Sequence, residues 1–398
     1  MDNNIYNELS KIVKSNKSKP SCPYAYICGG CDLQELSYGD QLRYKQVKTE
    51  LLLGQYGEVK PIIRMDNPNN YRNKVHATFS VANKRVISGL YQRSSHKVVN
   101  INNCMIQNEK ANEIINTITK MLNKSRIEIF DEDKGTGLFR HVLIRTGYKT
   151  GEILVVFVVA SDFFPSRNKF TKSLMKKHPE ITTIVQNIND RDTSIVLGYD
   201  ERTLRGKGYI EDELCGLTFR ISPQSFYQVN PVQAEKLYEK AIEIADIKPD
   251  DIIFDAYSGI GTIGLIASKY AKEVIGVELN GQAVYDSIKN AQKNRINNVK
   301  FFKDDAGDFM LKAAENGETF DIVFLDPPRE GSDENFLSSL IKTKPKKIVY
   351  VSCNPETQSR DINYLNKRGY QVKIIQPVDM FPYTTHVETV ALLSKIEK

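Results

Sequence analysis

From Ile252 to Asn280 the chain reads IIFDAYSGIGTIGLIASKYAKEVIGVELN. A β-branched run ends at Asp255, a glycine-rich turn follows, and apolar residues then recur at helical spacing before a second β-branched run ending at Glu278. Gly259, Gly261 and Gly264 fall at G-x-G-x-x-G spacing, the backbone arrangement that lets a ligand approach a strand–helix turn. Strand, glycine loop, helix and strand predict a parallel βαβ unit, and strands rich in Val and Ile predict burial on both faces. Helical periodicity begins before it at Gln233. After it, FDIVFLDPPREG, KIVYVSCNP and YQVKIIQPVDMFPYTTHVETVALLSK supply more strands with helical stretches between them. Residues 221–398 are therefore expected to form a doubly wound α/β domain, with VETVALL returning as an antiparallel edge strand.

The pattern changes upstream. Residues 60–220 carry short alternating strands, a hairpin turning at Lys149–Gly151, further strands in TTIVQNIND and TSIVLGYD, and one helix over roughly 107–124. That combination predicts a central antiparallel α+β domain. Leu42, Val47 and Leu51–Leu53 punctuate a polar run and predict an amphipathic helix between Leu36 and Gln55. Residues 1–20 read as a short helix or a frayed tail, and residues 1–59 as a tail plus a cysteine-rich loop.

With 398 residues the chain exceeds one typical core, so two or three domains are expected. A charged fraction of 26% and a hydrophobic fraction of 40% are those of an ordinary soluble protein. No apolar run is long enough to span a bilayer, and the N-terminus has no secretory h-region, so a cytoplasmic protein without a membrane partner is expected. The net charge of +6 is compatible with a nucleic-acid partner. Trp is absent and Tyr numbers 20, so stacking on bases would fall to Tyr, Phe, His or Arg.

Several residues are placed to do chemistry. Glu278, at the end of the second strand, suits ribose hydroxyls, and Asp304 or Asp305 at the end of the third suits an adenine. Glu278 does not choose between a nicotinamide dinucleotide and S-adenosylmethionine. Asp326-Pro327-Pro328 closes the fourth strand, where a doubly wound fold holds substrates, and with the glycine loop it resembles a methyltransferase more than a dehydrogenase. Arg329 stands where amino-methyltransferases carry an aromatic residue, which argues against amino-group methylation. Cys353, in VSCNP, is either a small buried thiol or a nucleophile. Cys22, Cys28 and Cys31 follow C-x5-C-x2-C spacing with Cys104 far downstream; spacing alone leaves zinc and an iron–sulfur cluster both open. Cys215 fits no motif and reads as core packing.

SFYQVNP (225–231), DAYSGIGTIGL, DPPREG, VSCNPETQSRD and DMFPYTTHVETV together resemble the RNA uracil-C5 methyltransferases that form 5-methyluridine. The resemblance covers 222–398 with the motifs in the family's order. It implies a Rossmann-like methyltransferase domain that uses S-adenosylmethionine, with Cys353 as nucleophile and Glu388 as base. The donor site would comprise Gln228, Tyr257, Glu278 and Asp326, together with Thr262 and Asp305. CPYAYICGGCDLQ and INNCMIQN resemble the [4Fe–4S] loop of the ribosomal-RNA branch, which implies Cys22, Cys28, Cys31 and Cys104 as cluster ligands. The implied substrate is a flipped-out uridine of 23S ribosomal RNA, and the implied state a monomer. Transfer RNA as substrate, or a non-catalytic iron–sulfur RNA-binding protein, are the alternatives. Many relatives begin with a small β-barrel RNA-binding domain, whereas only 21 residues precede Cys22. RNA contacts are therefore expected from 40–215, with Tyr71, Arg72, Lys74, Arg140, His141, Arg145 and LRGKGY as candidates.

Overall fold

The computed structural model describes residues 3–192 and 195–396. Helices α1 (Asn3–Ser15) and α2 (Tyr38–Leu53) flank the cysteine loop. The first sheet is built from β1 (Lys74–Ala82), β2 (Arg85–Tyr91), β3 (Val98–Asn100), β4 (Phe139–Thr146), β5 (Ile153–Val159), β6 (Ile181–Ile188) and β7 (Asp200–Arg205). Helix α3 (Glu109–Leu122) precedes β4, and α4 (Arg167–Lys177) joins β5 to β6. The strand order is β3-β2-β1-β4-β5-β6-β7. Val75, Ala77 and Phe79, alternating along β1, share one apolar cluster with Ile114, Ile115 and Ile118 of α3, as a period of two against a period of 3.6 dictates. Phe139, Phe157, Phe164 and Phe170 fill that core with edge-on and tilted ring contacts.

Two expectations for this region are corrected. β5 and β6 pair in parallel, because α4 provides the crossover that a parallel pair needs, so the sheet is mixed rather than purely antiparallel. The strand expected in TSIVLGYD begins only at Asp200; Thr193 and Ser194 lie outside the described residues. Side-chain amides take the backbone groups a ladder would use: Asn187 bonds both the N–H and the carbonyl of Gly198, and Asn189 donates to the carbonyls of Ile195 and Val196.

A hairpin of β8 (Ile210–Leu214) and β9 (Leu217–Ile221) leads into α5 (Pro231–Ala245). Cys215 occupies the hairpin turn with φ +49°, half-buried against the edge of the core. The second sheet then alternates regularly. β10 (Ile252–Ala256), α6 (Thr262–Ala267), β11 (Glu273–Glu278), α7 (Gly281–Lys293), β12 (Val299–Lys303) and α8 (Ala306–Glu315) form one half. β13 (Ile322–Leu325), α9 (Glu334–Thr343), β14 (Lys347–Ser352), α10 (Pro355–Asn366), β15 (Tyr370–Val378) and β16 (Glu388–Lys395) form the other. The order β12-β11-β10-β13-β14-β16-β15 reverses direction between β10 and β13, creating the crevice where such folds bind ligands. β16 is antiparallel, as expected, but it is interior: it pairs with β14 on one side and β15 on the other. Its burial explains this, since Val390, Ala391 and Leu393 are all fully buried. The outer strand is β15, and Val59 and Ile63 bridge to its Ile375 and Val378, which covers an edge that would otherwise be open.

The N-terminal region is tied to the second sheet by a buried ion pair. Lys45 on α2 bonds Asp379 just after β15, both side chains fully shielded, and Tyr38 donates to the same carboxylate at 2.8 Å.

Candidate active site

Five parallel strands, β10 to β14, end on one edge of the second sheet, and their carboxyl ends carry the expected residues. After β10 the chain turns through Tyr257, whose φ of +63° is rare for a tyrosine. Gly259 follows with φ +56° and open space where a side chain would stand. Gly264 lies so close to Asp255 that a Cβ would sit 2.8 Å from its carboxylate, and its N–H donates to that oxygen. Glu278, ending β11, accepts the N–H groups of Gly259 (3.0 Å) and Asn280 (2.7 Å). The loop and the ribose-type acid are thus held as one unit. Asp305 follows β12 and caps α8 through one oxygen, accepting from Gly307 and Asp308. Thr262 opens α6. Ser258 Oγ is buried without a hydrogen-bond partner. An open glycine cradle, an orphaned hydroxyl and a fixed carboxylate fit the nucleoside end of S-adenosylmethionine.

The reactive end lies beside it. Asp326 follows β13. Cys353 follows β14 and immediately precedes α10, whose first turn is capped by Asn354 and opened by Pro355. The half-buried Cys353 therefore lies in the chain directly before the positive end of a helix dipole. Ser352 pairs with Thr389 across β14 and β16, so the next step of the antiparallel register sets Cys353 opposite Glu388. Glu388 is 2% exposed and its Oε2 has no hydrogen-bond partner. Burial and the nearby Asp326 charge push its carboxyl up to about 8. Desolvation alone pushes Asp326 up to about 7. Burial, then the Glu388 and Asp326 charges, push the Cys353 thiol up to about 11, against the pull of Arg329. Arg329 is fixed at its backbone, where its carbonyl accepts from Asn354 (3.0 Å) and Thr357 (3.1 Å). Its guanidinium approaches His386 Nε2 at 3.4 Å.

Gln228 enters from the loop before α5. Asn73 donates to the carbonyl of Val229, and buried Arg145 donates to the carbonyls of Pro223 and Ser225, so the first sheet holds this loop in place. The Gln228 side chain lies within reach of the buried Tyr238 hydroxyl, which also feels the charges of Asp326 and Glu388. The structure thus brings Cys353, Glu388, Asp326 and Gln228 together, with Tyr257, Thr262, Glu278 and Asp305 along the adjoining rim.

Sequence reasoning missed Asp255, Tyr238 and His386. Asp255, pushed up to about 8 chiefly by burial, was signalled by its place directly before the glycine turn; Tyr238 had no signal beyond an apolar helix face. Arg140 and Arg145 do not lie free on the surface as expected. Arg140 is 2% exposed and bonded to Glu132 and two carbonyls, and Arg145 is spent on the Gln228 loop.

Four of the remaining cysteines converge outside this cleft. Cys22, Cys28, Cys31 and Cys104 line one small apolar hollow with Leu90, Ile101 and Ile106. The Gly30 N–H points at Cys28 Sγ (3.3 Å), and the amides of Ile106 and Gln107 point at Cys104. An apolar wall and amides aimed at sulfur are surroundings in which four thiolates could hold a metal ion or a cluster.

Sheet order, glycine loop and cleft define a Rossmann-like methyltransferase fold. Residues 37–396 match the tRNA (Uracil-5-)-methyltransferase family, and the chain belongs to it. An uncharacterized RNA methyltransferase of Oceanobacillus iheyensis is 43% identical over 393 residues, covering 97% of this chain and 85% of the relative. One from Caldanaerobacter subterraneus is 42% identical over 392 residues, covering 97% and 87%. The crystal structure of Pyrococcus abyssi tRNA (uracil-54, C5)-methyltransferase with S-adenosyl-L-homocysteine superposes with a TM-score of 0.76 at 28% identity, covering 92% of this chain and 86% of that one. No helix among the described residues is long and apolar enough to cross a membrane.

Proposed function

We propose that the protein methylates C5 of a flipped-out uridine in 23S ribosomal RNA, with Cys353 as nucleophile and Glu388 as base. The observation that carries this reading is the register-matched approach of a half-buried thiol and a buried carboxylate with an unbonded oxygen. Uracil C5 is a poor nucleophile until the ring is activated. Cys353 Sγ bonds to C6, and the C5–C6 π pair moves through C4 onto O4 as an enolate. The thiol proton passes to a carboxylate of the same cluster. Asp326, pushed up to about 7, is partly protonated at neutral pH and donates to the carbonyl where charge develops. Gln228 holds the uracil edge. C5 then takes the methyl group as its bond to the donor's sulfonium sulfur breaks. Glu388 removes the C5 proton, the C5–C6 double bond re-forms, and Sγ leaves C6. A base inside a stack hides C6 from any thiol, so the uridine must be splayed out.

The ribosomal assignment rests on the four-cysteine loop. Mapping 5-methyluridine in ribosomal and transfer RNA of a deletion strain tests it: loss from 23S RNA alone is expected, and loss from transfer RNA alone moves the substrate to the other branch.

Cys22, Cys28, Cys31 and Cys104 hold a [4Fe–4S] cluster that supplies a structural crosslink, since methyl transfer consumes no electrons. Protein purified without oxygen should be brown, with about four iron and four sulfide per chain. Stoichiometric zinc without sulfide would overturn this.

A further inference from the structure

The segment between β15 and β16 is bonded at its middle by the N-terminal region, while Gln233 and Asn230 of the α5 region hold the carbonyls of Asp379 and Met380 at its start. The carbonyl of Tyr383 accepts the N–H groups of Asp32 (3.0 Å) and Leu33 (2.9 Å), the two residues directly after Cys31. Its own N–H donates to Gln41 Oε1 at 2.8 Å, and its hydroxyl donates to Asn69 at 2.9 Å. Its φ is +69°, a left-handed conformation that a tyrosine keeps only when its surroundings hold it there. Its ring packs in the apolar cluster that contains Cys28, Cys31 and Cys104. Two residues later, Lys48 donates to the Thr385 carbonyl. His386 N–H bonds Thr384 Oγ1, and Glu388 then opens β16.

Glu388 is delivered by this segment, and Cys353 is not. With no hydrogen bond at Oε2, the aim of Glu388 is set by its backbone, which the pair with Val378 holds from β15 and which the Tyr383 segment enters from the other side. Cys353 is held instead by β14, by the cap of α10 and by the Ser352–Thr389 pair, none of which involves the cysteine loop.

We infer that Tyr383 is a positioning residue for Glu388, clamped from one side by the cysteine loop and from the other by Gln41, so that the N-terminal region sets the aim of the base. This rests on Glu388 being the base. It places the effect in the elimination step, after the methyl group has moved.

The test uses the full-length protein and an in-vitro transcript that it methylates, made either with uridine or with 5-fluorouridine. Fluorine at C5 cannot leave as a proton, so adduct formation on the second RNA reads addition and methyl transfer without the base. Gln41→Met removes the acceptor for the Tyr383 N–H at constant volume. Turnover on uridine RNA should fall roughly 10- to 100-fold, the range for a misaimed reacting group, with methylated RNA accumulating covalently on the protein. Adduct formation on 5-fluorouridine RNA should stay within about twofold of the parent. An equal fall on both RNAs, or no change on either, overturns the inference. Lys48→Met, which loosens the same segment at Thr385, should give the same split and serves if Gln41→Met does not fold. Glu388→Gln is run beside them. If it traps adduct and neither clamp variant does, the positioning role fails and the base assignment stands; if it traps none, the base assignment fails and takes this inference with it.

Discussion

Cys353→Ala should abolish methylation, with turnover down by about 10⁴-fold or more, the scale expected when a covalent nucleophile is removed. Donor binding should change less than about twofold, because the glycine loop and Glu278 hold each other through bonds that do not involve β14. Cys353→Ser should be nearly as damaging, since a hydroxyl is too weak a nucleophile for C6 and too poor a leaving group for the final elimination. Neither variant should yield a denaturation-resistant RNA–protein band. The measurement is single-turnover methyl transfer beside calorimetric titration of the donor. Retained methylation in Cys353→Ala would return the residue to the role of a small thiol closing a strand.

Glu388→Gln should separate the two halves of the reaction. Addition and methyl transfer survive, elimination stalls, and methylated RNA stays attached as a band of higher mass. The amide is nearly isosteric and relieves the burial of a charge, so the fold should be undisturbed. Two consequences of the local charges sharpen the test. The native carboxyl is pushed up to about 8, and only its ionised form accepts the C5 proton. Elimination in the parent protein should therefore speed up as pH rises through that value, and the rise should vanish in the variant. Burial chiefly raises the Cys353 thiol to about 11, and the Glu388 charge adds to it. That charge is present only as pH rises past about 8, so above that value alkylation of Cys353 should be faster in Glu388→Gln, and well below it the two should be alike. Normal turnover in this variant would leave only the Cys353 half of the mechanism.

Much of this was legible in the residues. The doubly wound sheet was readable because parallel strands are buried on both faces, so Val and Ile runs alternate with helical periodicity in an unbroken series from β10 to β14. The residues at the carboxyl ends of those strands could be named for the same reason: each lies at the point where an apolar run stops. The first sheet was less legible. A parallel crossover through α4 and a loop whose backbone bonds go to Asn187 and Asn189 leave no periodic signature. Family motifs marked Cys353 and Glu388 while saying nothing of how they meet.

That meeting is a tertiary decision. β16 runs antiparallel between β14 and β15, so its first residue, not its last, arrives at the edge where the parallel strands end. An edge strand in the expected place would have left Glu388 one strand further from the thiol. The same holds for charge. Local sequence cannot say that Arg140 and Arg145 are spent on internal carbonyls, or that Lys45 and Asp379 are shielded together, because desolvation depends on which distant segments close over a group. Sequence by itself determined the elements, the glycine loop and the residue types at the ends of the parallel strands. Tertiary packing decided which carboxylate comes to the sulfur and how far burial raises it.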